Sequence, residues 1–204
     1  MGVSSRDDEL LELYGKHESA VERDSPALLY SDVVRGTMRR IAAELSTEAG
    51  PEWIERLGSS VGDWPAFPDS AESLLRLEPH YELCILSNVD RLSFTGSARK
   101  LIVEFDLIVT AQDVGSYKPS LRNFEILLER LRETLGVEPY QILHVVQSLF
   151  HDHSPAQELG LKTVWIDRRH GKSGSHGSTP EPAGGARFDA VFPSMRTFAA
   201  WAVA

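Results

Sequence analysis

Short apolar runs alternate with helical patterns through the last two-thirds of the chain. The run Ile142–Val146 has the length and composition of a strand that is buried on both faces. Gln147 and Ser148 end this run, and Asp152 is placed to cap the helix that follows. Thr163–Ile166 begins the next strand. The stretch therefore predicts a strand, a loop, a helix and a strand in succession.

The same two patterns predict the other elements of this part of the chain. They indicate helices at Ser70–Leu77, Leu92–Leu101, Leu121–Leu135 and Ser194–Val203, and strands at Glu82–Leu86, Phe105–Val109 and Phe188–Phe192. Alternation at this spacing predicts an α/β fold with a parallel sheet and right-handed crossovers. The Gly, Ser and Pro content of Gly171–Gly185 predicts a mobile loop.

The first sixty residues show helical patterns only. Helices are predicted at Asp7–Glu22, Leu28–Leu45 and Glu52–Leu57, where apolar residues recur at helical spacing. The prolines of Gly62–Asp69 then make a stiff connector. We therefore expect a helical segment at residues 1–62 and an α/β core at residues 63–204.

Composition and charge exclude several classes of protein. The chain has 204 residues, 42% hydrophobic content and a formal net charge of -9, which disfavours binding to nucleic acid. It has no apolar run near 18 residues, so we expect no association with a membrane. The single Cys84 lies in an apolar run and allows no intrachain disulfide, which fits a reducing compartment. We expect a cytoplasmic protein, and a homodimer is compatible with the sequence.

Polar side chains follow three of the predicted strands. Ser87 and Asn88 come after the first strand, Lys118 follows the loop after the second, and Ser148 and Asp152 follow the third. Each has an ordinary alternative explanation, because Ser-Asn opens turns, Lys118 could be a surface residue and Asp152 could cap a helix. Consecutive crossovers nevertheless bring such strand ends to one edge of a parallel sheet. We therefore expect these side chains to share one site.

Three of these segments resemble the motifs of a known family. Ile85–Asn88 (ILSN), Ser116–Pro119 (SYKP) and Val146–Ala156 resemble, in the correct order, the second, third and fourth motifs of the haloacid dehalogenase superfamily. Within the superfamily they are most similar to the metal-independent 2-haloacid dehalogenases. The resemblance implies a Rossmann-like core with a helical cap. It also implies hydrolysis of a 2-haloacid, or of a similar small anionic substrate, through an aspartyl ester.

The resemblance also implies a role for each candidate site residue. Lys118 and Asp152 would be catalytic, with Lys118 supporting the charged nucleophile and Asp152 orienting Lys118 or a water. Ser87, Asn88 and Ser148 would bind the anionic group of the substrate. No cofactor is implied.

The first motif of the family, a strand that ends in the nucleophilic Asp, has no counterpart here. Asp7 and Asp8 follow no apolar run and open a helix instead. We expect the sheet to lack its first central strand, between the strands that precede Ser87 and Gln147. Low stability and no turnover would follow. The sheet could close over the gap, a partner could fill it, or the chain could be a truncated gene product.

Two further departures bear on metal binding and on substrate. Gln147 replaces the first acid of the fourth motif of the phosphatases, which leaves few oxygen ligands for Mg²⁺. Phe124 stands where the dehalogenases often have Tyr. His151 and His153 flank Asp152, but we expect no metal site there. A dehalogenase-like hydrolase is favoured, an inactive binding or regulatory relative is the alternative, and an Mg²⁺-dependent phosphatase ranks third.

Overall fold

The computed structural model describes residues 5–170, 185 and 187–204. The described helices are α1 Ser5–Asp24, α2 Tyr30–Glu44, α3 Pro51–Ser59, α4 Ser70–Leu77, α5 Arg91–Leu101, α6 Ala111–Val114, α7 Leu121–Leu135, α8 Ser154–Glu158 and α9 Met195–Ala202. The described strands are β1 Cys84–Ser87, β2 Leu107–Thr110, β3 Leu143–Val146, β4 Lys162–Ile166 and β5 Ala190–Phe192. The predicted order of elements is confirmed, with ends that shift by at most two residues. The short helix α6 was not predicted.

The first three helices pack against one another and against the end of the first strand pair. Val33 and Val34 of α2 are fully buried, and they belong to an apolar cluster that includes Ala111 and Tyr117. The Tyr117 hydroxyl also donates a hydrogen bond of 2.6 Å to the carbonyl of Leu28. These contacts place the helical segment beside the loop that carries Lys118. The division into two domains at residue 62 stays a prediction.

The strands form two parallel sheets and not one continuous sheet. β1 pairs with β2, so that Ser87 lies opposite Thr110, and β3 pairs with β4, which pairs with β5. In the described part of the chain, β1 and β3 do not pair with each other. The interruption lies where the sequence predicts that a central strand is missing.

Two apolar clusters support the two sheets. Helices α4 and α9 cover the three-stranded sheet through a cluster that includes Leu77, Val164 and Phe198. The cluster around Val109 and Leu127 packs α7 on the two-stranded sheet. Each sheet therefore has its own apolar cover, which holds the carboxyl ends of β1 and β3 in place.

The region after β3 differs from the prediction. A π-helical turn, Leu149–His153, precedes α8, and Ser148 caps this turn by accepting a hydrogen bond of 3.0 Å from the backbone N–H of His151. The alternative in which Asp152 caps a helix is wrong, because its carboxylate bonds to side chains of other elements. The predicted mobile loop Gly171–Gly185 lies outside the described residues, apart from Gly185.

A search of the described helices for a segment that is both long and apolar enough to span a bilayer finds none.

Candidate active site

Lys118 connects the two halves of the fold at the carboxyl ends of their strands. Its side chain is buried, and Nζ donates hydrogen bonds of 3.0 Å to the carbonyl of Leu86 in β1 and of 2.6 Å to Oδ1 of Asp152 after β3. The peptide bond to Pro119 is cis. Of the predicted catalytic residues, the structure therefore brings Lys118 and Asp152 into direct contact.

The Asp152 carboxylate is buried between two nitrogen donors. Besides Lys118, Nε2 of His144 lies 3.2 Å from its Oδ1. Burial by itself raises the pKa of Asp152, but the charge of Lys118 and the contact with His144 outweigh burial and hold the pKa well below its usual range. Asp152 is therefore ionised at neutral pH and keeps Lys118 in a fixed position.

Asn88 holds the Lys118 loop against the end of β1. Its Oδ1 accepts the backbone N–H of Lys118 at 2.8 Å, and its Nδ2 donates to the carbonyl of the same residue at 3.2 Å. Nδ2 also lies 3.3 Å from Oε1 of Glu22 in α1. The structure thus uses the amide of Asn88 to join β1, the Lys118 loop and the helical segment.

Ser87 is the last residue of β1, and Ser148 follows β3. The Ser87 hydroxyl has one weak contact, from the backbone N–H of Val89 at 3.4 Å. The Ser148 hydroxyl is used within its own turn, where it contacts both the backbone N–H and Nδ1 of His151. Of the residues predicted to bind substrate, Ser87 keeps the most hydrogen-bonding capacity.

One buried glutamate of α1, Glu22, reaches the site, and a second, Glu18, lies one helical turn before it; the sequence analysis identified neither. Tyr30 donates a hydrogen bond of 2.5 Å to Glu18, and Glu22 contacts Asn88 as described. Burial, reinforced by the charge of Glu18, raises the pKa of Glu22 to about 9, against the opposing effects of Asn88 and Lys118. Burial likewise raises the pKa of Glu18. The sequence does contain a signal for these residues. The spacing Tyr14-x₃-Glu18-x₃-Glu22 places three polar groups on one face of a helix.

The site does not have the composition of a magnesium site. Among the described residues no group of three or more His, Cys, Asp and Glu side chains is arranged to hold a metal ion. One of the two carboxylate oxygens of Asp152, Oδ1, is bonded to the ammonium of Lys118. Mg²⁺ requires several oxygen ligands in octahedral geometry. These residues therefore do not fit Mg²⁺.

Comparison with known proteins gives one curated relative and several solved structures. The chain is 33% identical over 118 residues to (S)-2-haloacid dehalogenase 4A of Burkholderia cepacia. This match covers 56% of the chain and 49% of the relative, so it spans about half the length of that protein. No protein-family model matches the chain.

The solved structures match over nearly the whole chain. The L-2-haloacid dehalogenase from Xanthobacter autotrophicus with chloropropionic acid covalently bound superimposes with a TM-score of 0.78 at 17% identity, covering 98% of this chain and 87% of that one. The L-2-haloacid dehalogenase RSc1362 gives the same TM-score and coverage at 22% identity. The fold is therefore that of the L-2-haloacid dehalogenases, and the resemblance that the motifs indicate is confirmed.

Proposed function

We propose that this chain is a haloacid dehalogenase-like hydrolase. Its described residues form the part of the site that binds an anion and stabilises charge, and the substrate is a small 2-haloacid or a similar anion. The reaction is nucleophilic substitution by a carboxylate. The carboxylate oxygen bonds to the carbon that carries the halogen, and the halide leaves with the bonding electron pair. Water then hydrolyses the ester and releases a 2-hydroxy acid.

The contact between Lys118 and Asp152 is the observation that carries this proposal. An ammonium fixed at the carboxyl ends of two buried strands, and shielded from bulk water, is a strong centre for attracting and stabilising negative charge. The Leu86 carbonyl and Asp152 hold its position, so little reorganisation is needed when an anion binds. Ser87 follows Leu86, whose carbonyl accepts the hydrogen bond from this ammonium, and its hydroxyl is suited to bind the substrate carboxylate.

The covalent step needs a second carboxylate that can reach the substrate. In the described residues, no strand precedes β1, and Asp7 and Asp8 lie in the first turn of α1. Asp152 is buried and bonded to Lys118, which makes it a poor nucleophile. The described residues therefore support binding and electrostatic stabilisation, and we propose that turnover needs a further carboxylate as the nucleophile.

A second function, that of a catalytically inactive binding protein, is favoured by one observation. The Asp152 carboxylate is neutralised by Lys118, and the structure shows no other acid bonded to that ammonium among the described residues. A protein of this kind would bind a small carboxylate and release it unchanged.

Chloride release from 2-chloropropionate distinguishes the two functions. We expect no release by residues 1–204, and release after addition of an upstream strand ending in Asp, designed on the D-x-Y-G-T pattern. The same design with Asn in place of its Asp is the matched control and should stay inactive. No activity with the Asp strand, in a protein that melts cooperatively, would support the binding protein. Mg²⁺-stimulated release of phosphate from p-nitrophenyl phosphate would contradict both proposals.

A further inference from the structure

Glu22 of α1 and His151 of the turn after β3 face each other across the junction between helix and sheet. Their Oε2 and Nε2 atoms are 3.8 Å apart, and 5% of the Glu22 side chain and 12% of the His151 side chain are exposed. This distance is too long for a hydrogen bond. Nε2 of His151 is also buried, and no residue that the structure describes is hydrogen-bonded to it. Oε2 of Glu22 and Nε2 of His151 therefore lie close to each other without forming a hydrogen bond.

Ser148 contacts Nδ1, the other ring nitrogen of His151. The Ser148 hydroxyl oxygen accepts the backbone N–H of His151 at 3.0 Å and lies 3.2 Å from Nδ1. Its own hydrogen is therefore free to be donated to Nδ1, and we assign the ring proton to Nε2. Burial lowers the pKa of His151 to about 4, so the ring is neutral at pH 7 and Nε2 is a donor.

Glu22 presents a donor to the same place. Asn88 Nδ2 donates to Oε1, so we assign the proton of a neutral Glu22 carboxyl group to the other oxygen, Oε2. With its pKa raised to about 9 by burial and by the charge of Glu18, Glu22 is protonated at pH 7. An ion pair with His151 is therefore not formed, because both groups are neutral. Two neutral donors converge where an acceptor atom is required.

We propose that Oε2 of Glu22 and Nε2 of His151 form a paired-donor site that binds an oxygen of the substrate carboxylate. The identity of the ligand as a small carboxylate rests on the proposed function. The buried charge of Lys118 raises the affinity for the anion, and the two donors determine the orientation of the bound group. Glu22 thereby makes the helical segment part of the site.

The groups that face Glu22 decide how binding depends on pH. On its own helix these are Tyr14 and Glu18, and on the other elements Tyr117, Lys118 and His151. Burial raises the pKa of both tyrosines above their ordinary range. Burial also raises the pKa of Glu18, so Glu18 could titrate in the same pH range. A change of ligand affinity with pH is therefore assigned to Glu22 only if it disappears in Glu22→Gln, which cannot ionise at this position.

Lactate, the 2-hydroxy acid that hydrolysis of 2-chloropropionate would give, is the probe. Its affinity for residues 1–204 is measured by isothermal titration calorimetry at pH 7.5 and at pH 10. For the wild-type protein we expect about a tenfold loss at pH 10, because ionisation of Glu22 with a pKa of about 9 removes the donor and places a negative charge beside the ligand. Glu22→Gln keeps an N–H donor, so its affinity should be nearly the same at both pH values.

Removal of either donor should weaken binding at pH 7.5. Glu22→Ala and His151→Phe are each expected to bind lactate about tenfold more weakly or worse, because each loses a hydrogen bond to a charged group. Glu12→Gln, at an exposed position of the same helix, is the matched control and should bind as the wild type does.

Three results would overturn the site: absence of lactate binding in the wild-type protein, wild-type affinity in Glu22→Ala, or equal pH profiles for the wild type and Glu22→Gln. The last comparison remains decisive if Glu22→Ala does not fold. Chloride release is a separate readout. A strand-supplemented protein that releases chloride but shows any of these three results would retain the proposed function and lose only this site.

Discussion

The ammonium of Lys118 lies 2.6 Å from the carboxylate of Asp152, although the two residues are 34 positions apart in the chain. Both are buried, one in the loop that follows the two-stranded sheet and the other in the turn that follows the first strand of the three-stranded sheet. β1 and β3 share no backbone hydrogen bonds, so this ion pair is one of the polar links between the sheets.

Breaking this pair should destabilise the protein more than removing both partners. Lys118→Met leaves an uncompensated buried carboxylate, and we expect it to lower the free energy of unfolding by about 3–5 kcal/mol. Adding Asp152→Leu should restore much of this loss. Urea unfolding measures both variants. Lys162→Met, which breaks the exposed pair with Asp189, is the control and should cost less than about 1 kcal/mol. A double variant as unstable as Lys118→Met would contradict the explanation.

The buried glutamates should make the protein less stable as pH rises. Folding keeps Glu22 protonated up to a pKa of about 9, whereas the unfolded chain ionises it near 4.5, so the folded state binds more protons between these values. The free energy of unfolding should therefore fall from pH 7 to pH 9, by up to about 1.4 kcal/mol per pH unit for each such carboxyl group. His151, with a pKa of about 4, is neutral throughout this interval and does not contribute.

Glu22→Gln should flatten this dependence, because the amide does not titrate. Urea unfolding at pH 7, 8 and 9 compares it with the wild type and with Glu12→Gln. Parallel slopes for all three proteins would show that Glu22 is ionised in the folded state, contrary to the arrangement described here.

Asn88 should be needed for the position of Lys118. Asn88→Ala leaves the backbone N–H and carbonyl of Lys118 without their partner, and we expect a loss of about 1–3 kcal/mol. Asn88→Asp should lose more, because it places a carboxylate against the Lys118 carbonyl and against Glu22. Chemical denaturation at pH 7.5 tests the expected order of stability, in which the wild type is the most stable and Asn88→Asp the least. An Asp variant that is more stable than the Ala variant would be inconsistent with this bonding scheme.

Ile102 offers a test of the backbone that is independent of the site. It follows α5 in the left-handed region with φ of 57°, and it is exposed, so a β-branched residue is strained there without a gain from packing. Ile102→Gly should raise the free energy of unfolding by about 1 kcal/mol. Gly136, which follows α7 with φ of 67°, is a left-handed position that already has glycine. Gly136→Ala should therefore lower the free energy of unfolding by about 1 kcal/mol. Thermal melts of both variants check the signs.

The elements and the motif residues could be predicted from the sequence because they depend on local patterns. Helix Leu121–Leu135 was predicted to the residue, since its apolar face and the Gly136 stop are both local signals. The meeting of Lys118 and Asp152 followed from the rule that strand ends share one edge of a parallel sheet. Their catalytic roles stay predictions.

The rest of the site depends on tertiary contacts that no local pattern contains. Glu22 was given no role in the sequence analysis beyond its place at the end of the predicted helix Asp7–Glu22, because burial of a carboxyl group depends on what packs over it. Ser148 was predicted to bind substrate, but its hydroxyl holds His151, because a π-helical turn follows β3 in place of the expected helix start. The hydrogen bonds between the Asn88 side chain and the backbone of Lys118 likewise depend on how the Lys118 loop folds back on the end of β1.

The affinity for 2-chloropropionate is the most direct measurement of the central claim, that Lys118 is the electrostatic centre of an anion site. The double variant Lys118→Met with Asp152→Leu removes this centre without leaving a buried unpaired charge. Calorimetric titration at pH 7.5 should show binding to the wild type and to Lys162→Met. The double variant should bind about tenfold more weakly or worse. Equal affinity in a folded double variant would contradict the account.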